Sequence, residues 1–217
     1  MWLTRLAAAL DSWAFAPVCT LCGDPGMQPG FDLCAACESE FPLCDECVWD
    51  EHALDLRWSA FDYEFPVAGL VRDLKFAGET SYARVLGLAT LRRWMPHVAV
   101  APLDCLLPVP LHLARLRSRG FNQSYEIARP MARALNLPIL ERTLRRVRAT
   151  QPQTTLPAAA RLHNVAGAFE LYGPVHGLRI GVLDDVLTTG ATLQEIARVL
   201  KCAGAARVVA LSVARVS

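Results

Sequence analysis

The stretch Ile180-Gly181-Val182-Leu183-Asp184-Asp185-Val186-Leu187-Thr188-Thr189-Gly190-Ala191-Thr192 constrains the fold more than any other part of the chain. Its apolar run, Ile180 to Leu183, reads as a buried strand. The strand ends in two adjacent carboxylates, and a small, hydroxyl-rich turn leads into a helical pattern. A strand that feeds a turn and a helix N-terminus leaves backbone N–H groups without intrahelical partners, which makes a ready anion site. The threonine hydroxyls add donors, and Gly190 lets the backbone approach a phosphate closely. Two carboxylates at the same strand end can hold vicinal hydroxyls. A phosphate site beside a diol site describes a ribose 5-phosphate.

The rest of the chain supplies partners for this unit. Apolar spacing predicts a helix over 67–77 ending near Gly78, and another over 82–95 ending at Pro96. Cys105 to Val109 reads as a short strand closed by prolines. Residues 122–136 read as a helix with Asn122 or Ser124 near its N-cap, 138–144 as a strand, and 145–166, rich in Arg, Gln, Thr and Ala, as a mobile loop. A strand over 178–184, a helix over 191–203 ending at Gly204 and a last strand over 206–213 complete the pattern. Alternation of strand and helix implies a parallel sheet with helices on both faces, its ligand turn at the carboxyl end of a strand. No apolar run reaches the roughly 18–20 residues needed to span a bilayer. Residues 1–16 place Trp2, Leu3, Leu6, Leu10 and Trp13 at helical spacing; Asp11 interrupts them, which reads against a secretion signal and for an amphipathic packing helix.

Of the eight cysteines, six fall between 19 and 47 as three CxxC pairs: Cys19/Cys22, Cys34/Cys37 and Cys44/Cys47. Without a secretion signal, metal is favoured over a disulfide framework, and a cytoplasmic location is expected. Two such pairs make a tetrahedral four-sulfur zinc site, structural because no position is left open. The assignment is Cys19, Cys22, Cys34 and Cys37. Cys44 and Cys47 either complete that site with one of the other pairs or, with His52 and nearby carboxylates, form a poorer second one. Cys105 and Cys202 lie among apolar neighbours and read as core. The chain is thus expected to divide into a cysteine-rich module over 1–60 and an α/β domain over 61–217.

The net charge of +1 hides an asymmetry: residues 1–64 carry 12 Asp and Glu against 2 Arg, and residues 115–161 carry 10 Arg against 2 Glu. A basic patch of this kind binds phosphate, nucleic acid or the chain's own acidic segment.

The 180–192 stretch closely resembles the phosphoribosyl pyrophosphate (PRPP) motif of type I phosphoribosyltransferases. Together with the CxxC module, Leu74-Lys75-Phe76, the run Leu107 to His112, Arg119-Gly120-Phe121-Asn122-Gln123-Ser124, Gln151, Arg161, Asn164-Val165 and Ala168-Phe169, it resembles the ComF family: a phosphoribosyltransferase domain with an N-terminal zinc finger, linked to DNA uptake in bacteria. One departure is the absence of a fourth CxxC, which many members carry. The resemblance implies a type I phosphoribosyltransferase-like sheet, PRPP with Mg²⁺ as ligands and Zn²⁺ in the finger. Asp184 and Asp185 are implied to hold the ribose hydroxyls and the magnesium, and Thr188, Thr189, Gly190, Ala191 and Thr192 the 5-phosphate. Val109, Pro110, Leu111 and His112 match the pyrophosphate loop, with Arg119 following, and 145–165 matches a loop that closes over substrate. The implied reaction displaces pyrophosphate from PRPP by an acceptor that the chain does not reveal, in DNA uptake or nucleotide salvage. The alternative is a PRPP-sensing, single-stranded-DNA-binding protein, or an adaptor for a DNA-uptake helicase or channel.

Overall fold

The computed structural model describes residues 18–26, 31–44, 47–149 and 165–216. The helix read over 1–16, and Gln151, Arg161 and Asn164, lie outside them. Contacts divide the chain into two compact units between Phe41 and Pro42.

The described part of the first unit is a knuckle with a short helix. A bridge from Val18 to Pro25 closes the turn that carries Cys19 and Cys22. Gly23 sits there with φ of 82°, a left-handed conformation that favours glycine. Helix α1 (Ala35–Ser39) starts from Cys34, whose sulfur accepts the Cys37 amide.

The second unit is built on a five-stranded sheet in the order β1 (Cys47–Glu51), β2 (Leu54–Asp62), β7 (Arg207–Arg215), β6 (Arg179–Leu187), β3 (Cys105–Pro108). β2, β7, β6 and β3 run parallel, and β1 pairs antiparallel with β2 at the edge. The architecture is α/β, as expected, with a mixed, mostly parallel sheet. β7 is buried from Val208 to Ala214, as a parallel strand covered on both faces must be. On one face Ile180, Val182, Val208 and Ala210 cluster with Ile196, Ala197 and Leu200 of α6 (Ala191–Cys202). α2 (Val67–Phe76), α3 (Ser81–Trp94) and α5 (Gln123–Leu135) complete the domain, α3 packing on β2 and β7 and α5 on β3 and β6. Gly87 lets α3 and α5 approach: a Cβ there would lie 2.5 Å from the Ile127 carbonyl oxygen and 2.8 Å from the Pro130 ring. Trp94 of α3 is fully buried, its ring centroid 5.2 Å from that of Trp58 on β2.

Several local expectations need correction. β6 runs on past the expected end at 184 to Leu187, so Asp185 as well as Asp184 lies within the strand. No strand covers 138–144. Ile139 makes only a bridge to Leu106, and the strand is β4 (Leu144–Arg146), antiparallel to β5 (Phe169–Leu171). Arg145 and Arg146, at the start of the loop read over 145–166, thus belong to a strand. The basic residues after His112 form a helix, α4 (Leu113–Arg119), capped by the His112 side chain and ended by Gly120 in a left-handed conformation. Cys105 is core as expected, but Cys202 is exposed in the last turn of α6. Among the described residues no helix is long and apolar enough to cross a membrane.

Candidate functional site

Parallel strands end on a common edge, and ligands of such sheets bind there. Tyr63 follows β2, Val216 follows β7, Thr188 follows β6 and Val109 follows β3, and all four line one cavity of about 530 Å³. Asp184 and Asp185 form part of its wall, with Lys75, Arg115, Arg119, Ser124, Arg146 and Thr192.

The two carboxylates differ. Asp185 is buried, and its Oδ1 pairs with Lys75 Nζ at 2.8 Å, while its Oδ2 is buried with no hydrogen-bond donor. Asp184 is half-buried; its Oδ1 accepts from Ser124 Oγ at 3.3 Å and from the Asp185 amide at 2.9 Å. Burial, then the neighbouring charge of Asp185, pushes the Asp184 carboxyl up to about 7 against the opposing pull of Lys75. Two adjacent acids in a poorly solvated wall cannot both ionise freely, so the pair favours a cation or a donor-rich ligand.

The local sequence explains these positions. α2 buries Val67, Leu70, Val71 and Leu74, and this face brings the following Lys75 to the sheet edge. Asn122 caps α5 by accepting the Ser124 amide at 3.1 Å while its side-chain amide donates to the Val109 carbonyl at 3.0 Å. One residue therefore fixes Ser124 and ties the β3 exit to the helix. Arg119 donates to Gln123 Oε1 at 2.7 Å and stacks over Phe76, 5.5 Å from its centroid. Burial lowers the proton affinity of both Arg119 and Arg146. Both remain cations, held where an anion would relieve their desolvation.

Of the residues expected at the site, Val109, Leu111, Arg119, Asp184, Asp185, Thr188 and Thr192 line the cavity. Pro110 and His112 line a neighbouring one with Leu111. Thr189 is exposed and outside the lining; Gly190, with φ of 74°, and Ala191 supply the N-terminus of α6. Sequence reasoning gave Lys75 no role of its own, took Ser124 only as a possible helix cap, and counted Arg146 among the ten arginines of the basic segment 115–161. Lys75 had a signal, being one of two lysines beside twenty arginines. The charge asymmetry marked Arg146 with its neighbours, and the short β4 is what sets it in the cavity wall.

In the first unit the sulfurs of Cys19, Cys22, Cys34 and Cys37 all lie within 4.8 Å of one another. Burial works against ionisation of Cys19, but the amides of Cys22 and Cys34 bring its thiol down to about 6. Burial and the neighbouring sulfurs push Cys37 well up. Four sulfurs at this spacing suit zinc, whose charge stabilises all of them as thiolates. Among the described residues neither Cys44 nor Cys47 belongs to a group of three or more possible ligands. Cys44 is buried, and its amide bonds to the Ala60 carbonyl at 3.2 Å.

No protein-family model matches the chain. A DNA utilization protein, YhgH, of Salmonella typhi is 35% identical over 215 residues, covering 95% of this chain and 92% of that protein. Competence protein F of Haemophilus influenzae is 31% identical over 196 residues, 85% of each. Competence protein ComFC of Bacillus subtilis is 26% identical over 192 residues, 84% of this chain and 71% of that protein.

Proposed function

Because the chain belongs to the ComF family, whose members here are named for competence and DNA utilization, we propose that it binds PRPP and transfers its phosphoribosyl group to an acceptor. The observation that carries this reading is a single cavity holding two carboxylates, two threonines at a helix N-terminus, and Lys75, Arg119 and Arg146. Thr188, Thr192 and the amides at the start of α6 hold the 5-phosphate. Asp184 and Asp185 take the ribose hydroxyls, and the turn from Val109 to His112 takes pyrophosphate with Arg119 and Arg146 as counter-charges. The acceptor forms its bond to C1 of the ribose as the bond from C1 to the pyrophosphate oxygen breaks, and pyrophosphate leaves with the electron pair.

The residues fit Mg²⁺. Asp185 Oδ2 is buried without a donor, and paired carboxylates suit a hard dication that seeks oxygen. Asp184 and Asp185 would hold the ion, which when bound neutralises charge on the leaving pyrophosphate. Asp184 also places a negative charge near the ribose ring, where positive charge develops. Calorimetry with PRPP and Mg²⁺, followed by a screen of acceptors for pyrophosphate release, tests the proposal. Asp184→Asn should weaken PRPP binding without unfolding the domain, and a variant that titrates like wild type sinks the assignment.

The relatives' names favour a second reading, in which the arginines of 115–148 hold single-stranded DNA and PRPP only regulates. Such contacts are made to phosphates and carry no sequence information. Binding of a DNA-uptake helicase or channel protein belongs to this reading. A complex that persists in a variant unable to bind PRPP would separate it from the first.

A further inference from the structure

Leu111 and Arg146 line more than the cavity already described. A second cavity of about 660 Å³ is bounded by Phe121, Tyr125, Glu141, Arg145 and Tyr172. A third hollow of about 310 Å³ shares His112 and Arg146 with it and adds Arg115 and Ser118. The second is larger than the first and lies in the size range of pockets for small organic ligands, about 300–1,000 Å³.

The two hollows have complementary chemistry. In the second, Tyr172 is 55% exposed, yet its orientation is fixed. Its hydroxyl donates to Glu170 Oε2 at 2.8 Å, and the Arg145 guanidinium lies 4.5 Å from its ring centroid. A guanidinium stacked on a held tyrosine is a flat platform, and flat platforms of this kind stack nucleobases. Glu141 adds an acceptor suited to an exocyclic amino group. The third hollow is lined by basic side chains and no acidic one. His112 Nδ1 accepts the Ala114 amide at 3.3 Å, which leaves Nε2 as the donor. An inorganic anion would use the third hollow and leave the aromatic one idle, and a purely aromatic ligand would do the reverse. A molecule with a planar base at one end and a phosphate at the other uses both.

We propose that these two hollows form a nucleotide site separate from the ribose-phosphate cavity, with the base against Tyr125 and Tyr172 and the phosphate between His112, Arg115 and Arg146. Arg115 and Arg146 also line the first cavity. A phosphate in the third hollow draws on the same counter-charge, so nucleotide and PRPP weaken each other's binding, reciprocally. That coupling rests on the PRPP reading; the nucleotide site does not.

The test titrates the full chain with adenosine 5′-monophosphate and with adenosine. The nucleotide should bind, and adenosine should bind at least about tenfold more weakly, the loss of one charge-assisted contact. Tyr172→Ala and Arg145→Gln should each weaken the nucleotide by about tenfold, the worth of one stacking partner. Asp184→Asn should leave it unchanged. Tyr172 is mostly exposed, so its variant is expected to melt with wild type, and Arg145→Gln supplies an independent check. The proposal is overturned if the nucleotide does not bind, if adenosine binds as well, if Asp184→Asn abolishes binding, or if both platform variants bind like wild type. Adding PRPP with Mg²⁺ should raise the nucleotide's Kd. If PRPP itself fails to bind, the proposed function fails, while the nucleotide titrations still decide the second site.

Discussion

Asp184 and Asp185 are neighbours in sequence with different tasks. Asp185 is buried beside Lys75, with side-chain exposures of 6% and 19%. Removing the lysine strands a charge that cannot reach water, whereas removing the acid frees a lysine that can. Lys75→Met should therefore destabilise the domain by about 3 kcal/mol and Asp185→Asn by about 1 kcal/mol, measured by urea unfolding. Equal costs would mean that the pair is solvated and the wall is not as described. Asp184 carries the pH dependence. Its carboxyl is raised by burial to about 7 from an ordinary value of 3.8, so between these values the folded state holds a proton that the unfolded state has lost. Its contribution to stability is present at low pH and is lost as pH rises toward 7. Stability of wild type relative to Asp184→Asn should fall across that window and level off above it. A flat difference between the two proteins would remove the burial argument.

Among the elements, β6 and α6 were legible because periodicity and turn chemistry agree within one short stretch. β2 went unread although Leu54, Leu56, Trp58 and Ala60 recur at period two, the signal of a strand. α4 was missed because Leu113 and Leu116 are too few to mark an apolar face, and its ends are set by the His112 cap and by Gly120. The zinc module is where element-scale geometry separates alternatives. The sulfurs of Cys19, Cys22, Cys34 and Cys37 converge, while Cys44 is held by the sheet at Ala60. Protein purified without chelator should carry zinc by elemental analysis. Cys34→Ser should lose it and Cys44→Ser should keep it. Zinc retained in Cys34→Ser, or lost in Cys44→Ser, would reassign the ligands.

At the scale of the whole molecule, the arginines sort by place rather than by count. Arg146 lines the ribose-phosphate cavity, Arg145 stacks on Tyr172, and Arg148 donates to the Ala166 carbonyl. Arg146→Gln should weaken PRPP by about tenfold or more, as loss of a charge-assisted bond does, and Arg145→Gln should not, both read by calorimetry. Single-stranded DNA, the second reading, should bind less tightly with salt by roughly 0.7 log units per log unit for each phosphate neutralised. Changing Arg145, Arg146 and Arg148 to Gln together should flatten that slope. An unchanged slope would take these arginines out of any DNA contact.

Local sequence was enough to place the strand, acid pair, turn and helix of 180–202, most of the helices, the cysteine pairs and the family. Each of these is written in adjacent residues or a fixed short spacing, so local pattern suffices. Tertiary packing alone buries Asp185 on Lys75, which lies 110 residues earlier. It also decided that Ser124 reaches Asp184, that Arg146 joins three hollows, and that β2 extends the parallel edge. These are contacts between distant segments, set by sheet order and helix packing, and no local periodicity encodes which distant residue a strand end will meet.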